Sequence, residues 1–288
     1  MNLYYKVKEE DIKLTYKQIL REKFKISDRM LTLLKKENKI IINPPIFSIN
    51  QKVSMNTEII IDLIDRKANI LPVYSPFNIV FEDEFFLAVN KESGIATHPS
   101  KGHYTDSLAN YVEYYLNKNG LSCHLVNRLD KDTSGVVLIA KHSYIHSLVS
   151  ELMISKNIEK KYFAIVHGKM QNKEGIINLP ISISGEKVKR EINENGYSAL
   201  TQYKVIKEYE NYSFILLIPH TGRTHQLRVH LSYIGNPILG DKIYGFDDGF
   251  EKLFLHSFNV NFYFWFNNTN YNIKAKLPNY FIRLLKIL

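Results

Sequence analysis

Apolar residues recur along this chain in two patterns: the alternation typical of strands and the three-to-four-residue spacing typical of helices. Two largely apolar runs, 85–90 and 136–140, predict buried strands. Alternation prevails in the second half, where it predicts strands at 162–167, 198–209, 212–218 and 253–266. A sheet is therefore expected to form most of the second half.

Helical spacing is confined to short segments between these strands. Ser, Thr and Asp residues, which are favoured N-caps, precede most of them. The predicted helices are at 15–24, from Ser27, from Asp106 to Asn117, from Ser143 to Leu152, after Thr224 and after Pro278. Few helices distributed among many strands indicate an α+β fold with a mixed, largely antiparallel sheet.

Pro72 and Pro76 bracket a segment that favours extended backbone, and we interpret it as a linker. It divides the chain into a small N-terminal unit at 1–75 and a larger domain at 76–288. The small unit is predicted to contain strands at 4–8, 39–42 and 58–63 together with two of the helices. It has 14 Lys and Arg residues against nine Asp and Glu residues, so it is the more basic part per residue.

Composition limits the possible partners. The net charge of +9 favours polyanions such as nucleic acids, with maintenance of solubility as the alternative reason for it. The single cysteine, Cys123, excludes a disulfide within the chain and a cysteine-based metal cluster. No apolar run approaches the roughly 18 residues of a membrane span, and no signal-peptide core is present. We therefore expect a cytoplasmic protein that does not associate with membranes.

A polar turn directly precedes the buried strand at 136–140, in the stretch VNRLDKDTSGVVLIAK. A carboxylate held on a tight turn beside a rigid strand is well placed to act on a substrate, and Asp130 is the candidate. Asp, Ser, Thr and Gly are also common in loops, so an ordinary solvated turn is the alternative interpretation. An Asp-x-Asp-x-Thr phosphotransferase motif does not fit, because Thr133 directly follows Asp132.

A second segment, LIPHTGRTHQLRVHLSYIGNPILGDKIYG at 217–245, is rich in polar side chains. Arg223 and Arg228 lie at the start and in the middle of its predicted helix, where a guanidinium can reach an anionic partner. His220, His225 and His230 are five residues apart, which separates their rings by roughly 140° around a helix. A metal site is therefore not expected here.

Together the two segments resemble the RluA-type pseudouridine synthases. That family has His-Arg-Leu-Asp-x-x-Thr-Ser-Gly, then Thr-Gly-Arg-Thr-His-Gln-(Ile/Leu)-Arg-Val-His-Leu and Gly-Asp-x-x-Tyr-Gly. The stretch KKYFAIVHG at 160–168 looks like its Lys-x-Tyr-x-Ala-x-Val-x-Gly strand. An earlier family motif looks like Asn90-Lys91 with Gly94 and His98-Pro99. The closing strand of the family is similar to 253–262. The resemblance covers about residues 76–277.

The resemblance implies isomerisation of uridine to pseudouridine in RNA, a reaction that needs no metal or cofactor. It makes Asp130 the nucleophile, Arg228 its ion-pair partner, and Tyr162 the residue that stacks on the uracil. Arg128 would fill the space left when the uridine is flipped out of its helix. The further residues expected to bind RNA are Arg223, Lys161, Asn127, Thr133 and His225. From the residues alone, Tyr162 is a strand aromatic of the core, and Arg128 forms an ion pair with Asp132.

The N-terminal unit resembles, in degenerate form, the small ribosomal-protein-type RNA-binding domain that many pseudouridine synthases carry; a merely structural unit is the alternative. For this reason large-subunit ribosomal RNA is the expected substrate, with transfer RNA possible, and the resemblance implies a monomer. A non-catalytic RNA-binding or ribosome-assembly protein is the alternative function. Three departures from the family pattern, Asn127, Glu92-Ser93 and Ser257, concern which RNA surroundings are accepted.

Overall fold

The computed structural model describes residues 1–185 and 189–288, and the chain divides into two compact units, Met1–Arg66 and Lys67–Leu288. The division falls earlier than the boundary predicted at residue 75. Because Lys67 begins the larger unit, the proline-containing segment at 72–76 belongs to that unit.

The N-terminal unit packs two helices against a three-stranded antiparallel sheet. Thr15 caps the first helix by accepting from the Gln18 N–H, and Ser27 caps the second by accepting from the Met30 N–H. The elements are β1 (Asn2–Lys6), α1 (Tyr16–Glu22), α2 (Asp28–Lys36), β2 (Ile40–Asn43) and β3 (Glu58–Asp62), with a 3₁₀ turn at Glu9–Asp11. The sheet order is β1-β3-β2. Both helices, β2 and β3 lie close to their predicted positions, whereas β1 begins and ends two residues before the strand predicted at 4–8.

The larger unit is built on one ten-stranded sheet. Its strands are β4 (Asn78–Glu82), β5 (Phe86–Lys91), β6 (His124–Leu125), β7 (Ser134–Ala140), β8 (Ile158–His167), β9 (Glu174–Asn178), β12 (Leu200–Glu208), β13 (Tyr212–Pro219), β14 (Leu255–Phe264) and β15 (Thr269–Lys274). A separate hairpin-like pair consists of β10 (Ile181–Ile183) and β11 (Arg190–Ile192). The helices are α3 (Leu108–Asn117), α4 (Ser143–Ile154), α5 (Gln226–Tyr233) and α6 (Asn279–Ile287).

The sheet runs in the order β4-β5-β7-β14-β8-β13-β12-β9, with β15 beside β14 and β6 beside β7. Its pairs are antiparallel except for β7 and β14, which are parallel where Ser134 and Gly135 face His256 and Ser257. Gly135 has φ +115°, and a Cβ there would overlap the backbone of Ser257, so this close approach requires glycine. The α+β fold with a largely antiparallel sheet is confirmed.

Three N-caps differ by one residue from the predicted caps Asp106, Ser143 and Thr224. The N-cap of α3 is Ser107, because the carboxylate of Asp106 instead pairs with His103 Nδ1 at 2.7 Å. The N-cap of α4 is His142, whose ring accepts from the Tyr144 N–H, and the helix begins at Ser143. The N-cap of α5 is His225 rather than Thr224.

Two strand predictions also differ. The stretch predicted as one strand at 253–266 ends at Phe264, and β15 returns from it as an antiparallel partner. The strands β9, β10 and β11 were not predicted, because these segments of three to five residues carry little alternation.

Candidate active site

A cavity of about 750 Å³ in the larger unit brings together most of the candidate residues. Segments far apart in sequence form its wall: the turn before β7, strand β8, and the turn and first half of α5. The candidates that line it are Asn127, Arg128, Asp130, Thr133, Tyr162, Arg223, His225 and Arg228. Lys161 does not line it, and its Nζ lies 2.8 Å from Glu159 Oε1.

Asp130 lies on a turn that is fixed from two sides. On one side, Thr97 Oγ1 donates to the Leu129 carbonyl at 2.6 Å and accepts from the Leu129 N–H at 3.1 Å. On the other, the Thr133 N–H donates to the Asp130 carbonyl at 3.2 Å. The Asp130 side chain is 23% exposed, and it is the one carboxylate among the described residues that line the cavity.

Lys91 also holds this turn in place. Its side chain is buried, and its Nζ donates to the carbonyls of Glu92, Ile95 and Lys131 at 2.7–2.9 Å. Burial lowers the pKa of Lys91 to about 7, while the charges of Asp132 and Asp130 act in the opposite direction. The backbone of the Asp130 turn is therefore tied to the end of β5.

Arg228 points from α5 toward Asp130 but is held by another carboxylate. Its Nε and Nη2 donate to Asp241 at 2.8 and 2.6 Å, whereas its Nη1 lies 3.9 Å from Asp130 Oδ2. Both Arg228 and Asp241 are buried, and Asp241 also accepts the N–H groups of Ile243 and Tyr244. Burial opposes the charge on Arg228, but Asp241 outweighs it, so the pKa of Arg228 is raised. The predicted pairing with Asp130 is thus a contact without a hydrogen bond, and Asp241 is the main partner.

His225 approaches the same oxygen of Asp130, with its Nε2 3.9 Å from Asp130 Oδ2. Its backbone is left-handed, at φ 57°, and its Nδ1 is 2.8 Å from the hydroxyl of Tyr244. Burial lowers the pKa of His225, so a neutral imidazole is favoured at pH 7 despite the nearby carboxylate. The ring can therefore exchange hydrogen bonds with a substrate without adding charge.

Tyr162 lines the cavity from β8 and is buried. Burial raises the pKa of Tyr162 to about 12, and the negative charge of Asp130 acts in the same direction. Its phenol is therefore protonated at neutral pH and can serve as a stacking surface and hydrogen-bond donor rather than as a base.

The remaining candidates differ in how far their polar groups are already engaged. Both ends of the Asn127 amide bind the β7 backbone, with Nδ2 donating to the Val136 carbonyl and Oδ1 accepting from the Leu138 N–H. Arg223 Nε donates to the Ser198 carbonyl, and its guanidinium lies over the ring of Tyr197 at 5.4 Å.

Thr133 and Arg128 are the less engaged candidates. Thr133 Oγ1 is buried without a hydrogen-bond partner in the part of the chain that the structure describes. Arg128 is exposed, and within the described residues it forms no ion pair with Asp132.

The three histidines of the second segment bind different groups. His220 pairs with Gln202, His225 with Tyr244, and His230 with Thr201 and the Leu179 carbonyl. Over residues 1–185 and 189–288, no cluster of three or more His, Cys, Asp or Glu side chains is arranged to hold a metal ion. Of the helices described, none has the length and apolar character needed to cross a membrane.

Comparison with known proteins gives one consistent result. The pattern of the family described as RNA pseudouridylate synthase matches residues 85–233. The uncharacterized RNA pseudouridine synthase YhcT of Bacillus subtilis is 36% identical over 79% of this chain and 77% of its own length. The ribosomal large subunit pseudouridine synthase D of Borreliella burgdorferi is 34% identical over 82% of this chain and 76% of its own length.

A solved structure agrees with these sequence matches. The human RNA pseudouridylate synthase domain containing 4 superposes with a TM-score of 0.61 at 28% identity, over 73% of this chain and 92% of that protein. The similarity is therefore found in the fold as well as in the sequence.

Proposed function

The chain belongs to the RNA pseudouridylate synthase family, and from this premise we propose that Asp130 is the nucleophile with which it converts uridine in RNA to pseudouridine. The observation that supports this role is the position of Asp130, the one carboxylate among the described cavity-lining residues, on a turn fixed by Thr97 and Lys91. A rigidly held carboxylate beside a cationic side chain suits covalent or electrostatic assistance at a sugar carbon.

The reaction exchanges one bond for another without net change in composition. As the nucleophile, the Asp130 carboxylate bonds to the sugar carbon while the bond from that carbon to nitrogen 1 of the uracil breaks, and the bond to Asp130 breaks again when the new bond to the base forms. The detached base turns within the cavity of about 750 Å³, and the sugar carbon then bonds to carbon 5. The proton on carbon 5 leaves, and nitrogen 1 gains one. No electron acceptor or water is consumed.

Arg228 and Tyr162 complete the proposed machinery. Asp241 fixes the Arg228 guanidinium, so its Nη1 faces Asp130 in a set position and stabilises negative charge on that carboxylate. Tyr162 offers a buried ring for stacking on the uracil and a protonated hydroxyl for a carbonyl oxygen of the base. Neither role requires a side chain to move far.

We propose that the cavity receives a uridine that has been flipped out of its helix, which costs a few kcal/mol. Arg128 is exposed beside Asp130, and its planar guanidinium can stack on bases and bind phosphate in the space the uridine vacates. Arg223, Thr133, His225 and Asn127 contact the RNA from the cavity wall, and Lys161 from outside it.

Large-subunit ribosomal RNA is the proposed substrate, with transfer RNA as the second candidate. Relatives whose names specify the ribosomal large subunit support the first choice. The basic N-terminal unit, Met1–Arg66, is proposed to bind RNA as well. A monomer acting in the cytoplasm is expected.

Pseudouridine mapping on deproteinised ribosomal and transfer RNA tests the proposal, with wild-type protein, Asp130→Asn and Asp132→Asn, and without added metal or nucleotide. Asp132 is an exposed carboxylate of the same turn and serves as the matched control. We expect conversion of a defined uridine by wild type and Asp132→Asn and none by Asp130→Asn. Binding of RNA without conversion by any variant would favour the non-catalytic alternative.

A further inference from the structure

Lys160 presents its ammonium group to the cavity from β8. Residues two apart on a strand share a face, so Lys160 lies on the same side of β8 as Tyr162, about 6.6 Å away along the strand. Both residues line the cavity, whereas Lys161 does not. A methyl group added at Gly222, on the turn before α5, would lie 4.0 Å from Lys160 Nζ. The ammonium therefore faces the gap between β8 and that turn.

Among the described residues, no carboxylate balances the charge of Lys160. Within the described residues its Nζ makes no hydrogen bond and no ion pair, and it lies in surroundings that lower the pKa of Lys160 by burial alone. Two other buried cations near the cavity are compensated: Arg228 by Asp241, and Lys91 by three carbonyls. A partly desolvated, unpaired ammonium costs free energy, so this position is unfavourable until an anion arrives.

The chemistry of uridine in RNA identifies the anion. The uracil and the ribose are neutral at pH 7, and only the phosphates carry charge. A neutral uracil carbonyl would supply a hydrogen bond but no counter-charge. Lys160 also lies two residues before Tyr162 on β8, and the Tyr162 ring is expected to contact the base. Arg223 also lines the cavity and adds positive charge there, and Asp130 is the one carboxylate among the described residues that line it.

We propose that Lys160 binds a backbone phosphate adjacent to the flipped uridine and thereby positions the nucleotide over Asp130. This assignment rests on the proposed pseudouridine synthase function and names the part of the substrate that this wall of the cavity recognises. Lys160 is a positioning residue: it holds the strand, and the bond changes take place at Asp130.

The test compares wild type with Lys160→Met, which keeps the apolar stem, and Lys160→Arg, which keeps the charge. The exposed Lys274 on β15 gives a control, Lys274→Met, that removes one charge away from the cavity. We expect KM to rise about 10- to 100-fold in Lys160→Met with little change in kcat, and Lys160→Arg to recover most of the loss. The slope of log affinity against log salt should fall in magnitude by about 0.7, as for one single-strand phosphate contact.

A substrate oligonucleotide with one uncharged methylphosphonate linkage locates the phosphate. The neutral linkage is placed in turn on each side of the target uridine. At one of the two positions it should weaken oligonucleotide binding by wild type and leave binding by Lys160→Met unchanged. A lower kcat at unchanged KM and salt slope, or a methylphosphonate penalty that persists in Lys160→Met, would overturn the assignment.

Affinity is also measured by direct binding of wild type and variants to large-subunit ribosomal RNA. Absence of uridine conversion would count against the proposed function, whereas equal affinity and equal salt slope for wild type and Lys160→Met would count against the phosphate site. The two proposals therefore fail in different measurements.

Discussion

Replacing Asp241 with asparagine should destabilise the larger unit far more than the same replacement at Asp130, although both carboxylates face Arg228. Asp241 is buried and receives two hydrogen bonds from the guanidinium and two from backbone N–H groups. The side-chain amide of an asparagine there would bring its own N–H groups against the N–H donors that Asp241 now accepts. Asp130 instead lies 3.9 Å from both Arg228 Nη1 and His225 Nε2, too far for a hydrogen bond.

The expected magnitudes follow from burial. Removing one partner of a buried ion pair costs about 3–5 kcal/mol, because the other charge stays buried without compensation. A partly exposed contact without a hydrogen bond contributes about 0–1 kcal/mol. The free energy of unfolding should therefore differ by about 2–5 kcal/mol between Asp241→Asn and Asp130→Asn.

Urea unfolding measures this difference. Trp265 is the only tryptophan of the chain and belongs to the larger unit, so its fluorescence reports on that unit. We expect Asp130→Asn to unfold near the wild-type midpoint while losing activity, and Asp241→Asn to unfold at a clearly lower midpoint. Equal destabilisation by the two variants, or a wild-type midpoint for Asp241→Asn, would refute the conclusion that Asp241 holds Arg228.

Three further outcomes are expected. Tyr162→Phe should lower kcat by about 10²-fold or more with a near wild-type urea midpoint, since only the hydroxyl is lost; a wild-type kcat would remove the hydroxyl from the mechanism. Gly135→Ala should fail to fold or lose several kcal/mol in urea unfolding, because its Cβ overlaps the Ser257 backbone, and a wild-type midpoint would contradict this close approach. Lys160 should bind RNA only when protonated, and burial lowers its pKa, so RNA affinity should fall as pH rises through that lowered value. Lys160→Arg should lack this fall in a titration of Kd against pH, and an identical fall would assign it to another group.

Most of the strand pattern was predictable because it depends on local signals, whereas the residues around Asp130 were assigned through the family resemblance. Alternation located β8, β12 and β13, and the buried run located β7. Strand order depends on contacts between distant segments, so no local sequence pattern predicts that β14 lies between β7 and β8.

The partners within the site were harder to predict than its members. Asp241 lies 13 residues after Arg228, and only the path of the intervening turn brings the two side chains together. The choice between Lys160 and Lys161 was within reach, because alternation relative to Tyr162 favours Lys160 as the residue facing the cavity. The N-cap of α3 is Ser107 and not the predicted Asp106, whose carboxylate pairs with His103.

The insertion of β14 between β7 and β8 has a consequence for synthesis on the ribosome. At about 5–20 residues per second, roughly 6–25 s pass between the appearance of Ala140 and that of Phe264. Until β14 has been made, the stretch of β8 from Ile158 to Ala164 lacks its partner on one side, as do Ser134 and Gly135 of β7. An unpaired apolar strand edge is prone to pair with another chain. The nascent protein is therefore most exposed to misassembly, and most in need of chaperone protection, until the segment that follows α5 has emerged.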